Sequence, residues 1–195
     1  MKKALVLGGT RFFGKRLVSN LVDTGWDVTI ASRGLADDSF GQRVKRLTLD
    51  RYNYESLQVA LKGGEWDVVY DQICYAPSDA MDTCQLLSGK IGRYVLTSTG
   101  SVYDNSPMPY KEEYYDPYSY PLRMGRQDSF TYGEGKRLAE AVFFQKADFP
   151  VAALRIPVVV GPDDYTQRLA GVVHYVKHGI AMRPLNTDKT IGFIS

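Results

Sequence analysis

The sequence predicts a doubly wound α/β protein, and three observations carry that prediction. Short apolar, β-branched runs alternate along the chain with longer stretches whose apolar residues recur at helical spacing. The first apolar run leads directly into a glycine turn, Gly8-Gly9-Thr10-Arg11-Phe12-Phe13-Gly14. At 195 residues, 44% hydrophobic and 24% charged, the chain fits one domain with a real core. Strands that alternate with helices imply a parallel sheet covered on both faces. Right-handed crossovers then put any ligand at the carboxyl ends of the strands.

Each element has its own reason. Residues 4–7 are apolar and form the first strand; a helix from about 12 to 24 carries Leu17, Val18, Leu21 and Val22 on one face and stops at Gly25. Residues 27–32 are rich in β-branched side chains and form the second strand. A polar loop, 34–41, leads to a third strand at 44–49 and a helix at 54–62 ended by Gly63-Gly64. The fourth strand starts at Asp67, and a helix from near Pro77 carries Met81, Cys84 and Leu87. The fifth strand is 93–97. Residues 103–126 hold Pro107, Pro109, Pro117 and Pro121 and read as a long loop over the site. A helix at 132–146, a strand at 151–156 and an amphipathic helix at 166–178 follow.

Composition excludes several classes. A net charge of +2 gives no case for nucleic acid or an anionic membrane as partner. No run approaches membrane-spanning length, and Met1-Lys2-Lys3 leads straight into a strand, so the expected location is cytoplasmic. Cys74 and Cys84 are too few for a disulfide framework or a zinc site; two buried thiols and no metal are expected. Many of the 14 tyrosines fall between 103 and 132, where a site wall or an interface is expected.

The glycine turn is the first candidate site. Gly8 permits the tight turn, Gly9 and the turn backbone let a phosphate approach, and Gly14 lets the helix pack on the strand. Free N–H groups and the dipole at the helix start favour an anion, which suits the pyrophosphate of a dinucleotide. A glycine turn without a nucleotide is the alternative. The second strand ends in Ala31-Ser32-Arg33, with no carboxylate to accept from a ribose 2′-hydroxyl. Arg33 could pair with a 2′-phosphate, Ser32 donating and Arg11 approaching from the other side, which favours NADP over NAD. Otherwise Arg33 stacks on adenine without choosing, or is solvated.

Two further segments carry chemistry. Tyr132-Gly133-Glu134-Gly135-Lys136 places a phenol and an ammonium four residues apart on one helix face. A lysine cation beside a tyrosine lowers its pKa from about 10 towards working pH. A surface Tyr–Lys pair is the plain alternative. Thr97-Ser98-Thr99-Gly100-Ser101 follows the fifth strand, as a run of hydroxyls or as small polar residues that close a strand end.

In that order, these segments resemble the extended and atypical branches of the short-chain dehydrogenase/reductase family, the NAD-dependent epimerase/dehydratase type with a Rossmann fold. G-G-T-x-F-x-G opens such chains, although Arg11 stands where a middle glycine is common. The resemblance covers residues 1 to about 165 and closes on Leu154-Arg155-Ile156-Pro157-Val158-Val159-Val160-Gly161-Pro162, similar to L-R-x-x-x-x-x-G-P. It implies a cofactor seat at Gly8, Thr10, Arg11, Phe12, Phe13 and Gly14. Asp50 would contact adenine, unless it caps the helix that begins near Asn53. Ile73, Cys74 and Pro157 would lie at the nicotinamide end. Thr99 would orient the substrate hydroxyl, Tyr132 would be the acid/base, and Lys136 its electrostatic partner and a holder of the nicotinamide ribose.

The implied reaction is hydride exchange between a nicotinamide and a hydroxyl-bearing carbon of a small-molecule substrate, usually a nucleotide-sugar. The alternatives are a simple carbonyl reductase and a nucleotide-sensing or RNA-binding member without catalysis. Bulk at Ile73 and Tyr75, where the family carries small residues, moves the chain towards the atypical branch. The resemblance divides the chain into a dinucleotide-binding domain, 1–165, and the start of a truncated substrate-binding part, 166–195, whose last six residues read as a strand. It also makes a homodimer through the helices near 77–89 and 132–147 a candidate assembly.

Overall fold

The structure, a computed structural model, describes residues 1–103, 109–181 and 193–194. Six parallel strands form one sheet in the order β3-β2-β1-β4-β5-β6. They are β1 (Lys3–Leu7), β2 (Asp27–Ser32), β3 (Lys45–Thr48), β4 (Val68–Asp71), β5 (Tyr94–Thr99) and β6 (Val151–Ile156). Order reverses between β1 and β4, which leaves a crevice at their carboxyl ends. The helices are α1 (Phe12–Asp23), α2 (Tyr54–Ala60), α3 (Pro77–Leu87) and α4 (Tyr132–Lys146). Beyond the sheet, β7 (Val158–Val159), α5 (Arg168–Lys177) and β8 (Phe193–Ile194) follow, with β7 and β8 paired in parallel. The expected terminal strand falls partly on β8; residues 190–192 and 195 lie outside the described residues, as does Pro107.

Alternation along β1 separates the two sides of the core. Ala4 and Val6 pack with Val18 and Leu21 of α1 and with Val28 and Ile30 of β2. Leu5 and Leu7 face the opposite side, against Leu57 of α2, Cys84 and Leu87 of α3, and Val142 and Phe143 of α4. Such coverage of both faces is what an all-parallel sheet requires. α1 ends as predicted at Gly25: the Trp26 N–H donates to Leu21 O at 3.0 Å and the Gly25 N–H to Val22 O at 3.0 Å.

One alternative falls and one expectation is narrowed here. Asp50 does not cap α2. Asn53 does, its side chain accepting from the Ser56 N–H at 3.0 Å, while Asp50 accepts from the Tyr52 N–H and closes a local turn. The loop at 103–126 meets the site at its start, where Tyr103, Tyr110 and Glu112 line the cavity at the carboxyl ends of the strands, while the rest of its described part runs along α4. Gln145 donates to the carbonyls of Pro117 and Tyr120, the Tyr115 hydroxyl donates to Arg137 O, and Arg123 pairs with Glu134. Prolines leave carbonyls without local partners, and the side chains of α4 satisfy them.

A buried ion pair ties the sheet to α3. The Arg51 Nη2 lies 2.7 Å from Asp71 Oδ2, with the two side chains 3% and 0% exposed. Asp71 also accepts from the Tyr94 hydroxyl and from the Ile73 N–H at 2.9 Å, and Arg51 donates to the Thr83 hydroxyl at 3.1 Å. Arg51→Ala would leave a buried, uncompensated carboxylate, and a loss of about 3–5 kcal/mol is expected. Tyr94→Phe removes one neutral donor and should cost about 1–3 kcal/mol. Urea unfolding of both variants beside the parent chain measures the two losses, and equal losses would contradict this ranking.

Candidate active site

A cavity of about 1300 Å³ opens at the carboxyl ends of β1, β2, β4, β5 and β6. It lies over the point where strand order reverses.

The glycine turn forms one end. Gly8 has φ +88°, a conformation that favours glycine. A Cβ at position 14 would meet Gly8 O at 2.6 Å and Gln72 Oε1, so α1 can lie this close to β1 only with glycine there. Gly9 has a packing reason as well. A Cβ there would strike Val18 Cγ2 at 2.7 Å and Val6 Cγ1 at 3.0 Å, so glycine allows close apolar packing between α1 and the sheet. The start of α1 has no side-chain cap and no acid in its first turn. Its free N–H groups are orphan donors beside the cavity.

The remaining predicted residues fall around the same space. Thr10, Arg11, Phe12, Phe13, Ser32, Arg33, Asp50, Ile73, Thr99, Tyr132, Lys136 and Pro157 all line it. The Ser32 hydroxyl accepts from the Gly34 N–H at 3.2 Å, which holds the turn that carries Arg33. Arg11 lies over the Tyr165 ring, 5.5 Å from its centroid. Two predicted residues act from beneath the surface. Gly14 is packed as described, and the Cys74 side chain is fully buried in the core, leaving its backbone carbonyl to serve the site.

Thr99 sits at the end of β5, where its Oγ accepts from the Ser101 N–H at 3.2 Å. That bond leaves the hydroxyl proton free to donate into the cavity. Ser98 is not available in the same way, because its hydroxyl donates to the buried Glu140 carboxylate. Tyr132 opens α4 and is 52% exposed at the cavity wall. Thr131 caps the helix, its hydroxyl accepting from the Glu134 N–H at 3.4 Å. Lys136 lies one turn on and is 1% exposed. Its ammonium donates to Cys74 O at 2.7 Å and Thr97 O at 2.8 Å. Burial lowers the pKa of this lysine, while the nearby Cys74 and Asp71 oppose the shift.

Gly135 of the Tyr-x-x-x-Lys segment is dictated by contact, since a Cβ there would stand 2.5 Å from Tyr75 O. Sequence reasoning named two further residues of the site without their contacts. Tyr75 lines the cavity against Lys136, and Arg155 lines it while pairing with Glu140 at 2.8 Å and donating to the Tyr103 hydroxyl at 2.8 Å. A glutamate within the apolar run Leu138-Ala139-Glu140-Ala141-Val142 was a readable sign of a buried partner. Of the expected tyrosine wall, Tyr103, Tyr110 and Tyr132 line the cavity, and Tyr115 and Tyr120 pack beside it around Val102.

Solved structures share this architecture. The Bordetella bronchiseptica enzyme WbmG, in complex with NAD and UDP, superposes with a TM-score of 0.66 over 90% of this chain and 59% of its own, at 18% identity. The dTDP-glucose 4,6-dehydratase of Bacillus anthracis, in complex with NAD, gives 0.65 over 92% of this chain and 62% of its own, at 18% identity. The chain has a doubly wound, Rossmann-type fold, shared with these solved structures. Among curated proteins, the chloroplast stem-loop binding protein of 41 kDa b from Arabidopsis thaliana is 32% identical over 126 residues, 57% of this chain and 33% of that protein. The chain therefore spans a third of its curated relative and about three fifths of the solved chains. No family model matches the chain. Among the described residues, no helix is long and apolar enough to cross a membrane.

The buried thiols give a direct check on the floor of the site. Burial pushes the Cys74 thiol up to about 11 and the Cys84 thiol up to about 12. At pH 8 a chromogenic disulfide reagent should react with the folded chain on the order of 10²-fold more slowly than with the chain in denaturant. A Cys74 thiol that reacted at the free rate would place it in the cavity instead.

Proposed function

We propose that the cavity holds a nicotinamide dinucleotide, NADP in preference to NAD, and that the chain is the cofactor-binding part of an extended short-chain dehydrogenase/reductase of the epimerase/dehydratase type. One observation carries this reading: the uncapped start of α1, the cation at the end of β2, and the hydroxyls of Thr99 and Tyr132 share one cavity. NAD in the solved relatives of the same fold supports it.

The residues present fit such a group. The N–H groups at the start of α1 would take the pyrophosphate, with Arg11 at their side. Arg33 and Ser32 would take a 2′-phosphate, since β2 ends without a carboxylate. Asp50 would meet the adenine, and Ile73 and Pro157 would bound the nicotinamide end. When bound, the nicotinamide supplies the acceptor and donor of a hydride.

The chain's own part is to hold the substrate oxygen and move its proton. Thr99 donates to that oxygen. Tyr132 takes the hydroxyl proton as the carbon is oxidised and returns it on reduction. A nucleotide-sugar is the proposed substrate, in keeping with the UDP in one relative and the dTDP-glucose dehydratase activity of another. A second reading rests on the curated relative, a stem-loop binding protein. It predicts salt-sensitive binding of an RNA hairpin, competed by NADPH.

Titration followed by nicotinamide fluorescence should show tighter binding of NADPH than of NADH, with the difference lost in Arg33→Ala. Equal binding of both by the parent chain would remove the role of Arg33 in the choice. With a nucleotide-sugar that turns over, Tyr132→Phe should lower kcat on the order of 10²- to 10⁴-fold. Full turnover by that variant would take Tyr132 out of the mechanism.

A further inference from the structure

An ammonium group has three N–H bonds to give. Two from Lys136 go to the carbonyls of Cys74 and Thr97. The third side of the ammonium faces the Tyr75 ring, whose centroid is 4.6 Å from Nζ. The same ring neighbours Tyr132, with centroids 6.2 Å apart and planes tilted by 46°. Among the described residues the ammonium thus has three partners, the third of them a ring rather than a hydrogen-bond acceptor.

The three partners differ in freedom. Cys74 O and Thr97 O are backbone atoms, one in the loop fixed by Asp71 and the other in β5. The Tyr75 ring turns on two side-chain torsions and is tethered by a long hydrogen bond from its hydroxyl to Gln72 O, 3.4 Å. Burial pushes the Tyr75 phenol up to about 12, so the ring stays neutral over the cation.

We propose that Tyr75 is the positioning residue of this site: its ring shields the Lys136 ammonium and swings aside when a ligand hydroxyl takes its place. The proposal rests on the dinucleotide reading above. It explains how a bulky residue can stand where the ribose end of a cofactor would enter. Entry exchanges one contact of the ammonium for another.

The test compares the parent chain with Tyr75→Ala and Tyr75→Phe in two measurements. In the first, an amine-acetylating reagent is applied and mass spectrometry follows each lysine. Lys136 should be modified at least about tenfold faster in Tyr75→Ala and at the parent rate in Tyr75→Phe, with the other lysines as internal controls. In the second, NADPH is titrated by fluorescence. Tyr75→Ala should bind about five- to tenfold more tightly, the worth of one shielded cation–π contact, and Tyr75→Phe should bind as the parent does. An unchanged Lys136 rate in Tyr75→Ala overturns the proposal. So does a faster rate with NADPH affinity unchanged or weaker. If no variant binds NADPH although Lys136 is unshielded in Tyr75→Ala, the dinucleotide reading has failed and the proposal falls with it; the labelling shows that the fault is in the reading. Should Tyr75→Ala not fold, Tyr75→Leu keeps the bulk, lacks the π-face and carries the same affinity test.

Discussion

The buried carboxylate of Asp71 is the constraint on which the site depends. A charge at 0% exposure is tolerable only with a partner, and Arg51 supplies it from the turn after β3. The pair binds the exit of β3 to the end of β4, the Tyr94 hydroxyl brings in β5, and Thr83 brings in α3. Arg51 keeps two nitrogens without a hydrogen-bond partner among the described residues, so charge, not a complete bonding pattern, holds it. The Ile73 N–H donates to the same carboxylate and fixes the course of the chain beyond β4. Everything at the centre of the cavity is then placed by that short loop. Ile73 lies against Gly8, Cys74 O accepts from Lys136, and Tyr75 O presses on Gly135.

A second buried charge does the same for the other wall. Glu140 is fully buried on α4 and is bound by Arg155 of β6 and by the Ser98 hydroxyl of β5. Arg155 also lies over the rings of Tyr103 and Tyr115 and donates to Tyr115 O, which brings in the loop along α4. Lys136 of α4 reaches the loop that the first cluster fixes, and Glu140 of α4 belongs to the second. One sets the height of Lys136, and the other sets the end of β5 where Thr99 stands. Pairs of this kind contribute little net stability compared with apolar packing, yet the loss of one member is costly. Their effect here is to fix the register of one helix against two strands.

This division explains what the sequence could reveal. Periodicity is local, so β2, α4 and β6 are found at the predicted residues, and α1 ends where Gly25 placed its end. The turn at Gly8 and the close packing at Gly14 are also local and were legible. The packing at Gly9 was not legible, because it involves three side chains from β1, β2 and α1, which adjacency in sequence does not disclose. Asp50 and Asn53 were equally plausible caps by type; only Asn53 is three residues from the N–H it serves. Prolines marked the loop at 103–126 but could not say which helix its carbonyls would meet. Tyr75 was noticed for its bulk, and its true partner, Lys136, is 61 residues away along the chain, beyond any local pattern.

The start of α1 carries two local costs that the fold does not relieve. Its first turn lacks a side-chain cap and an acid, and Phe12 takes a φ of +46°, a region that costs an L-residue on the order of 1–2 kcal/mol. A helix of 12 residues could be begun more cheaply with a serine or an aspartate at position 11. Arginine stands there instead, with Arg33 and Arg168 on the same cavity. A capping acid would satisfy the helix and repel an anion. An arginine leaves the N–H groups free and adds charge of the sign that attracts one. Strain and unfilled donors at one point, with three arginines on the same cavity, are the features on which the proposed dinucleotide seat rests.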